Sequence, residues 1–246
     1  MRLLNVDTFT FQEFNESPTS PPPPYAIASH RWIAGTEARL DDVVKRRWAR
    51  LLGNTEYRRR LGWRKVQGFV AFMKEHLPTI KLLWIDTCCI DKQSCEEVAT
   101  TIRSMFRWYT RAEVCLAYLD DVQTVNDLAA FEESVWFQRG WTLQELLAPK
   151  TVVFLTHDWR IIGHKGRPPL GSRISAITKI PETVLRDYDA AKNVTVDEKL
   201  SWIQKRETTR VEDKWYCMLG ILGVLDMEIQ YGAGEEVTYM RLQRSL

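Results

Sequence analysis

No stretch of this 246-residue chain is apolar for long enough to span a bilayer, and the opening MRLLNVDTFTF lacks the apolar core of a signal peptide. A soluble, cytoplasmic protein is expected. Cysteine is sparse and poorly spaced for metal or disulfide chemistry. Cys88, Cys89, Cys95, Cys115 and Cys217 are odd in number and form no Cys-x-x-Cys pair. That argues against a disulfide framework or zinc ribbon and for a reducing compartment. The four histidines, His30, His76, His157 and His164, show no ligand spacing, so no metal is expected. The net charge of +2 gives no whole-molecule field toward nucleic acid or membrane. No G-x-x-x-x-G-K-[ST] string occurs, which excludes a P-loop NTPase. Gly232-Ala233-Gly234 follows a helical stretch rather than a strand and reads as a turn.

What the chain does contain is ordinary core material, 45% hydrophobic and 27% charged, with an unusual ten tryptophans. Arg2–Asn5 and Phe9–Phe14 read as a strand pair. The proline run within Ser17–Pro24 is an extended loop. Four short apolar runs follow, Tyr25–Ser29, Leu82–Asp86, Val114–Leu119 and Thr151–Leu155. Between them lie helical patterns at Val66–Glu75, Val98–Tyr109 and Gln138–Leu147, the last stopped by Ala148-Pro149. This alternation predicts an α/β fold whose four runs form one parallel sheet, the Tyr25 strand central and helices on both faces. After Pro169 the pattern turns helical, over about Leu170–Thr178, Val196–Lys205 and Glu212–Gly223. Thr209-x-x-Glu212 fits a capping box before the apolar run Trp215–Val224. Arg206 or Arg210 is expected to pair with an acidic residue of the core.

In an open parallel sheet, ligands bind beyond the carboxyl ends of the strands. Those positions are Ser29, His30, Arg31 and Trp32 after the first run, Asp86, Thr87, Cys88, Cys89 and Asp91 after the second, and Asp120 and Asp121 after the third. On a helix through Gln138–Leu147, Leu143, Leu146 and Leu147 cover one side while Trp141 and Glu145 share the other. One reading is a pocket wall, with the ring on a ligand and the carboxylate at its polar centre. The other is a second packing face, with Glu145 held by Arg139 or another arginine. A Cys–His hydrolase built on Cys89 and His30 is the weaker chemical alternative, because buried cysteine is usually inert. The basic segment Lys45–Lys65, interleaved with Trp48, Tyr57 and Trp63, could be a phosphate or nucleic-acid patch, but reads better as a solvated, partly helical insertion.

Several strings, in order, resemble the fungal HET (heterokaryon incompatibility) domain: MRLLNVDT, YAIASHRW, KLLWIDTCCIDKQS, SMFRWYTRAEVCLAYLDDV, WFQRGWTLQELLAP, RETTRVEDKWYCMLGILGV and YGAGEE. One departure is that Trp32 is followed by Ile33-Ala34-Gly35 where the family has Trp-Gly. The resemblance implies a single HET domain over 1–246 that acts in cell death, with a core over 1–160 and a helical extension over 161–246. The HET core in turn resembles TIR (Toll/interleukin-receptor) domains, with a flavodoxin-like parallel sheet. In the NAD-cleaving members the catalytic glutamate sits in a string laid out like Trp141-Thr142-Leu143-Gln144-Glu145-Leu146. This likeness implies an NAD+ glycohydrolase with Glu145 catalytic and His30, Arg31, Trp32, Asp86, Arg139 and Trp141 binding the substrate. NAD+ is then a substrate rather than a cofactor. Self-association and a sensor or NLR-type module are the implied partners. The rival reading is a non-enzymatic, homotypic death-signalling module.

Overall fold

The computed structural model describes residues 1–15, 21–51 and 61–246, with side chains at 1–15, 21–45 and 62–246. Residues 52–60 of the basic segment, and Ser17–Ser20 of the proline loop, therefore lie outside the described residues. The elements run β1 (Arg2–Asn5), β2 (Phe11–Glu13), β3 (Tyr25–His30), α1 (Leu40–Leu51), α2 (Leu61–His76), β4 (Leu82–Trp84), α3 (Cys95–Arg111), β5 (Val114–Tyr118), α4 (Leu128–Glu133), α5 (Thr142–Leu147), β6 (Val152–Leu155) and β7 (Ile161–His164). They continue with α6 (Leu170–Thr178), α7 (Glu182–Arg186), α8 (Val196–Ser201), α9 (Asp213–Tyr216), α10 (Leu219–Leu222) and α11 (Glu235–Ser245). Short 3-10 turns occupy Val135–Gln138 and Tyr188–Asn193. None of the described helices is long and apolar enough to cross a membrane.

The fold is α/β, with a seven-stranded sheet in the order β2-β1-β4-β3-β5-β6-β7. All four predicted apolar runs become strands, and β3 takes the middle place. The sheet is mixed rather than purely parallel. β3 and β4 pair parallel, as do β5 and β6, while β1–β2, β1–β4 and β6–β7 are antiparallel. The physical reason is connection length. β6 and β7 are joined by the tight turn through His157–Arg160, and so short a link can only return antiparallel. β7 was not legible in the sequence, since its residues are largely exposed or half-buried and show no apolar run.

By internal contacts the chain forms two compact units, residues 1–28 with 32–98, and residues 29–31 with 99–246. In the first, the four β3 residues Tyr25–Ala28 are all buried, as a strand covered on both faces requires. The α2 residues Val66, Phe69, Val70 and Met73, spaced for one helix face, are buried with Leu3, Leu4, Leu83 and Trp84. In the second, Phe131, Trp136, Phe137 and Phe154 form an edge-to-face aromatic cluster with ring centroids 5.1–5.5 Å apart for four of its pairs.

The helix expected from Gln138 begins only at Thr142, with Trp141 at its cap. Arg139 is instead extended, and the backbone on either side of it pairs with the closing block. Gly140 N–H donates to Glu207 O at 2.8 Å, and Glu207 N–H donates to Gln138 O at 2.6 Å. α5 is buried on every side, so the face that carries Glu145 is packed like the leucine face, as the second-packing-face reading expects. The run Trp215–Val224 splits into α9 and α10. Thr209 does not cap it: its hydroxyl accepts from Arg139, and Glu212 turns elsewhere.

Candidate functional site

Glu145 lies in α5 with only 4% of its surface exposed. Its Oε2 accepts a short hydrogen bond from the Ser29 hydroxyl near the end of β3, and that hydroxyl accepts from Trp136 Nε1 at 2.8 Å. Trp136 is fixed by the aromatic cluster, so the chain Trp136–Ser29–Glu145 is a buried polar line whose anchor is packed rather than flexible. Neither Ser29 nor Trp136 was singled out as a partner of Glu145. A serine in an apolar run and a tryptophan before WTLQE carry no periodicity that would betray a shared hydrogen bond.

Three more predicted residues belong to the second unit. His30 follows Ser29, is buried, and its Nδ1 lies 3.2 Å from Arg31 O. Arg31 makes a close ion pair with Asp120, just beyond β5, and that hydrogen bond is the main reason its basicity is raised. Arg139 donates to Thr209 at 3.1 Å. Trp141 hydrogen-bonds Asp213, which also accepts from the Tyr231 hydroxyl at 2.6 Å, and burial raises the Asp213 pKa against these bonds. Arg139 and Trp141 thus engage the closing block, whereas Ser29 engages Glu145. In the first unit, the half-exposed Trp32 donates from Nε1 to Asp86 at 2.7 Å, and the Lys92 ammonium stands 4.6 Å over its ring.

The buried cysteines are poorly placed to act as nucleophiles. Cys88, Cys89, Cys115 and Cys217 are buried. The Cys88 thiol is pushed well up, first by its hydrogen bond with Cys89 and then by burial. Burial, followed by the charge of Glu145, does the same to Cys115. On the folded protein, brief iodoacetamide treatment is expected to label Cys95, which is exposed, before any other thiol. Peptide mass mapping that found Cys89 labelled first would contradict this. Among the described residues, no group of three or more His, Cys, Asp or Glu could hold a metal ion.

Arg206, expected to pair with a carboxylate, does something different. It is buried and donates from Nη1 to Arg139 O at 2.9 Å and to Thr142 Oγ1 at 3.0 Å. Arg210 instead stacks on the Tyr231 ring at 4.1 Å. Lys165, absent from every sequence argument, is 2% exposed. It donates from Nζ to the carbonyls of Leu146 at 2.8 Å and Leu147 at 3.3 Å. Nothing in GHKGRPP sets this lysine apart from a surface one.

Residues 25–132 match the family model described as heterokaryon incompatibility protein (HET). Across an alignment of 258 residues covering 100% of the chain, it is 35% identical to the vegetative incompatibility protein HET-E-1 of Podospora anserina. The chain belongs to the HET family. It spans 18% of the length of that relative, and no solved structure matches it. Within this HET domain, Ser29, His30, Arg31, Trp32, Asp86 and Asp120 fall inside the family match, whereas Arg139, Trp141 and Glu145 lie beyond it and are covered by the alignment with HET-E-1.

The closing block of the HET domain has its own fastening. Glu212 Oε1 accepts from Gly232 N–H at 2.8 Å and Gly234 N–H at 3.1 Å, both glycines having positive φ. Its carboxyl is held below its ordinary value, first by its own backbone N–H and then by those of Gly234 and Gly232. A depressed carboxyl stabilises the fold above its unfolded pKa, and that stability is lost as pH falls through the folded value. Glu212→Gln is therefore expected to lower the melting temperature at pH 7, with the gap to wild type closing as pH drops below about 4. Melts at pH 7 and pH 3 check this, and a gap of equal size at both would contradict it.

Proposed function

We propose that this domain is a cell-death effector of heterokaryon incompatibility that hydrolyses NAD+ at the nicotinamide–ribose bond and is activated by self-assembly. The observation that carries the reading is a carboxylate, Glu145, held by a strand-end hydroxyl while almost wholly removed from water. Keeping a carboxylate buried is costly, and such groups concentrate where charge must be stabilised. The nicotinamide of NAD+ is cationic and departs as a neutral base, so the leaving group needs no general acid. The ribose left behind carries oxocarbenium character, and water adds to it to give ADP-ribose and a proton. A fixed carboxylate stabilises that cation. Arg31, beside the same strand end, would serve the pyrophosphate once released from Asp120. The TIR-like reading of the sheet belongs with this proposal.

At 4% exposure, Glu145 reaches a substrate only after a local rearrangement. Self-assembly is the proposed source of that rearrangement, so activity should fall on dilution. The second reading, a non-enzymatic interaction module, is favoured by the same closed hydrogen-bond line, which a purely structural carboxylate would also make. Incubating the purified domain with NAD+ over a concentration series and measuring nicotinamide separates them. Release that depends on Glu145 supports the enzyme, and its absence at every concentration supports the module.

A further inference from the structure

α5 has six residues, too few to hold a helix by its own hydrogen bonds. The position of Glu145 must then be imposed from outside. At the start of α5, the Arg206 guanidinium bonds the Thr142 hydroxyl and the Arg139 carbonyl. In the middle, Gln144 Nε2 donates to Cys217 O at 2.6 Å. At the end, the Lys165 ammonium bonds the Leu146 and Leu147 carbonyls, which the helix itself leaves without partners. Both cations are more than nine-tenths buried, and Arg206 Nη2 has no hydrogen-bond partner among the described residues. Burying two cations to hold one short helix costs far more than apolar packing would. That cost is intelligible if the helix carries an anion whose place and charge matter, and the Arg206 charge does act on Glu145.

We propose that Lys165 and Arg206 are positioning residues for Glu145, clamping α5 at its two ends and placing positive charge on either side of the carboxylate. The proposal rests on the NAD+ reading for its consequence, but not for its geometry.

Lys165 gives the clamp a signature. Burial, against the opposing influence of Cys115 and Asp187, brings its pKa down to about 8, while Arg206, brought down to about 10, keeps its charge beyond that point. Facing Lys165 are Cys115 from β5, Asp187 from the turn after α7 and, through Cys115, Glu145 itself. As pH rises through about 8, the native state loses the Lys165 charge while the unfolded chain retains it. The unfolded state then binds the extra proton, so global stability does not fall in this window and rises if anything. A structural lysine would therefore leave activity following the folded fraction. A positioning lysine loses activity while the fold persists.

The test compares wild type, Lys165→Met and Lys165→Arg between pH 7 and 9.5. It measures nicotinamide release at saturating NAD+, thermal melts, and hydrogen exchange of the α5 amides. Expected is a fall in wild-type turnover centred near pH 8 with no loss of melting temperature and faster α5 exchange. Lys165→Met should be lower by about 10²-fold at pH 7, the cost of a misplaced catalytic group, with no fall near pH 8 and a gap to wild type that narrows above it. Lys165→Arg should have no fall near pH 8. Arg206→Lys, which keeps a charge but loses the fork, should lower turnover with α5 exchange faster at all pH values. Wild-type α5 exchange unchanged across the window and unaltered in Lys165→Met would overturn the clamp, whatever the activity. Exchange as expected, with no nicotinamide released by wild type, would instead overturn the NAD+ reading and leave the clamp standing.

Discussion

Glu145→Gln should lower nicotinamide release by about 10²–10³, the usual cost of removing one preorganised electrostatic group. The substitution preserves the volume of the side chain and an acceptor for the Ser29 hydroxyl, which still receives the Trp136 indole N–H. What disappears is the negative charge that the proposed reaction sets against an oxocarbenium ion. The same charge also acts on the buried Arg206, so its removal leaves that guanidinium less compensated. A melting temperature a few degrees lower is expected, since about 1 kcal/mol corresponds to about 2–4 °C in a domain of this size. Glu145→Ala should behave worse. It opens a cavity and strips the Ser29 hydroxyl of its acceptor inside the core, at a cost of about 2–5 kcal/mol. The two variants separate chemistry from structure. Melts and nicotinamide release on the same preparations give the answer. If Glu145→Gln is folded and turns over like wild type, Glu145 is not catalytic. If activity in both variants merely follows the folded fraction, the carboxylate is a packing element.

The parts of this molecule legible in its sequence are those set by local periodicity. YAIAS, LLWID, VCLAYL and TVVFL announced themselves as buried strands because uninterrupted apolar runs of that length have few other fates. The α2 and α3 helices followed from apolar residues at intervals of three and four. Failures came where a distant backbone overrides the local pattern. Gln138–Trp141 has helical spacing, yet Glu207, far along the chain, takes the carbonyl of Gln138 and the N–H of Gly140. The site was half legible. Placing Glu145 near a strand tip followed from topology, and it does meet Ser29 at the end of β3. Its burial was one of two open readings, a pocket wall or a second packing face, because residue spacing shows which side chains share a face but not what covers that face. Lys165 was invisible for a related reason. A buried lysine is stabilised by carbonyl groups, and carbonyls leave no trace in residue identity.

Gly220→Ala should be among the most destabilising single-methyl changes in the second unit. A Cβ at Gly220 in α10 would overlap the Cβ of Phe106 on α3 and stand 2.6 Å from its Cγ. A Cβ sits next to the backbone and cannot swing aside as the end of a long side chain can. The ring is also restrained: Phe106 meets Tyr188 edge-on at 5.0 Å, and the Tyr188 hydroxyl donates to Ile221 O at 2.6 Å, beside Gly220 itself. Relief therefore requires α10 and α3 to separate, at a cost of about 1–3 kcal/mol or more. Gly223→Ala is the matched control. It has φ +76° and nothing within 4 Å of an added Cβ, so its penalty is conformational alone, about 1–2 kcal/mol. Placing Phe106→Gly in each background separates the two causes. It should recover much of the loss at Gly220→Ala, because it removes the Cβ that would lie 2.1 Å from the added methyl, and none at Gly223→Ala. Denaturant midpoints of the five variants and wild type test this, and additive losses for Gly220→Ala with Phe106→Gly would show that the close approach of α10 to α3 is not what the glycine protects.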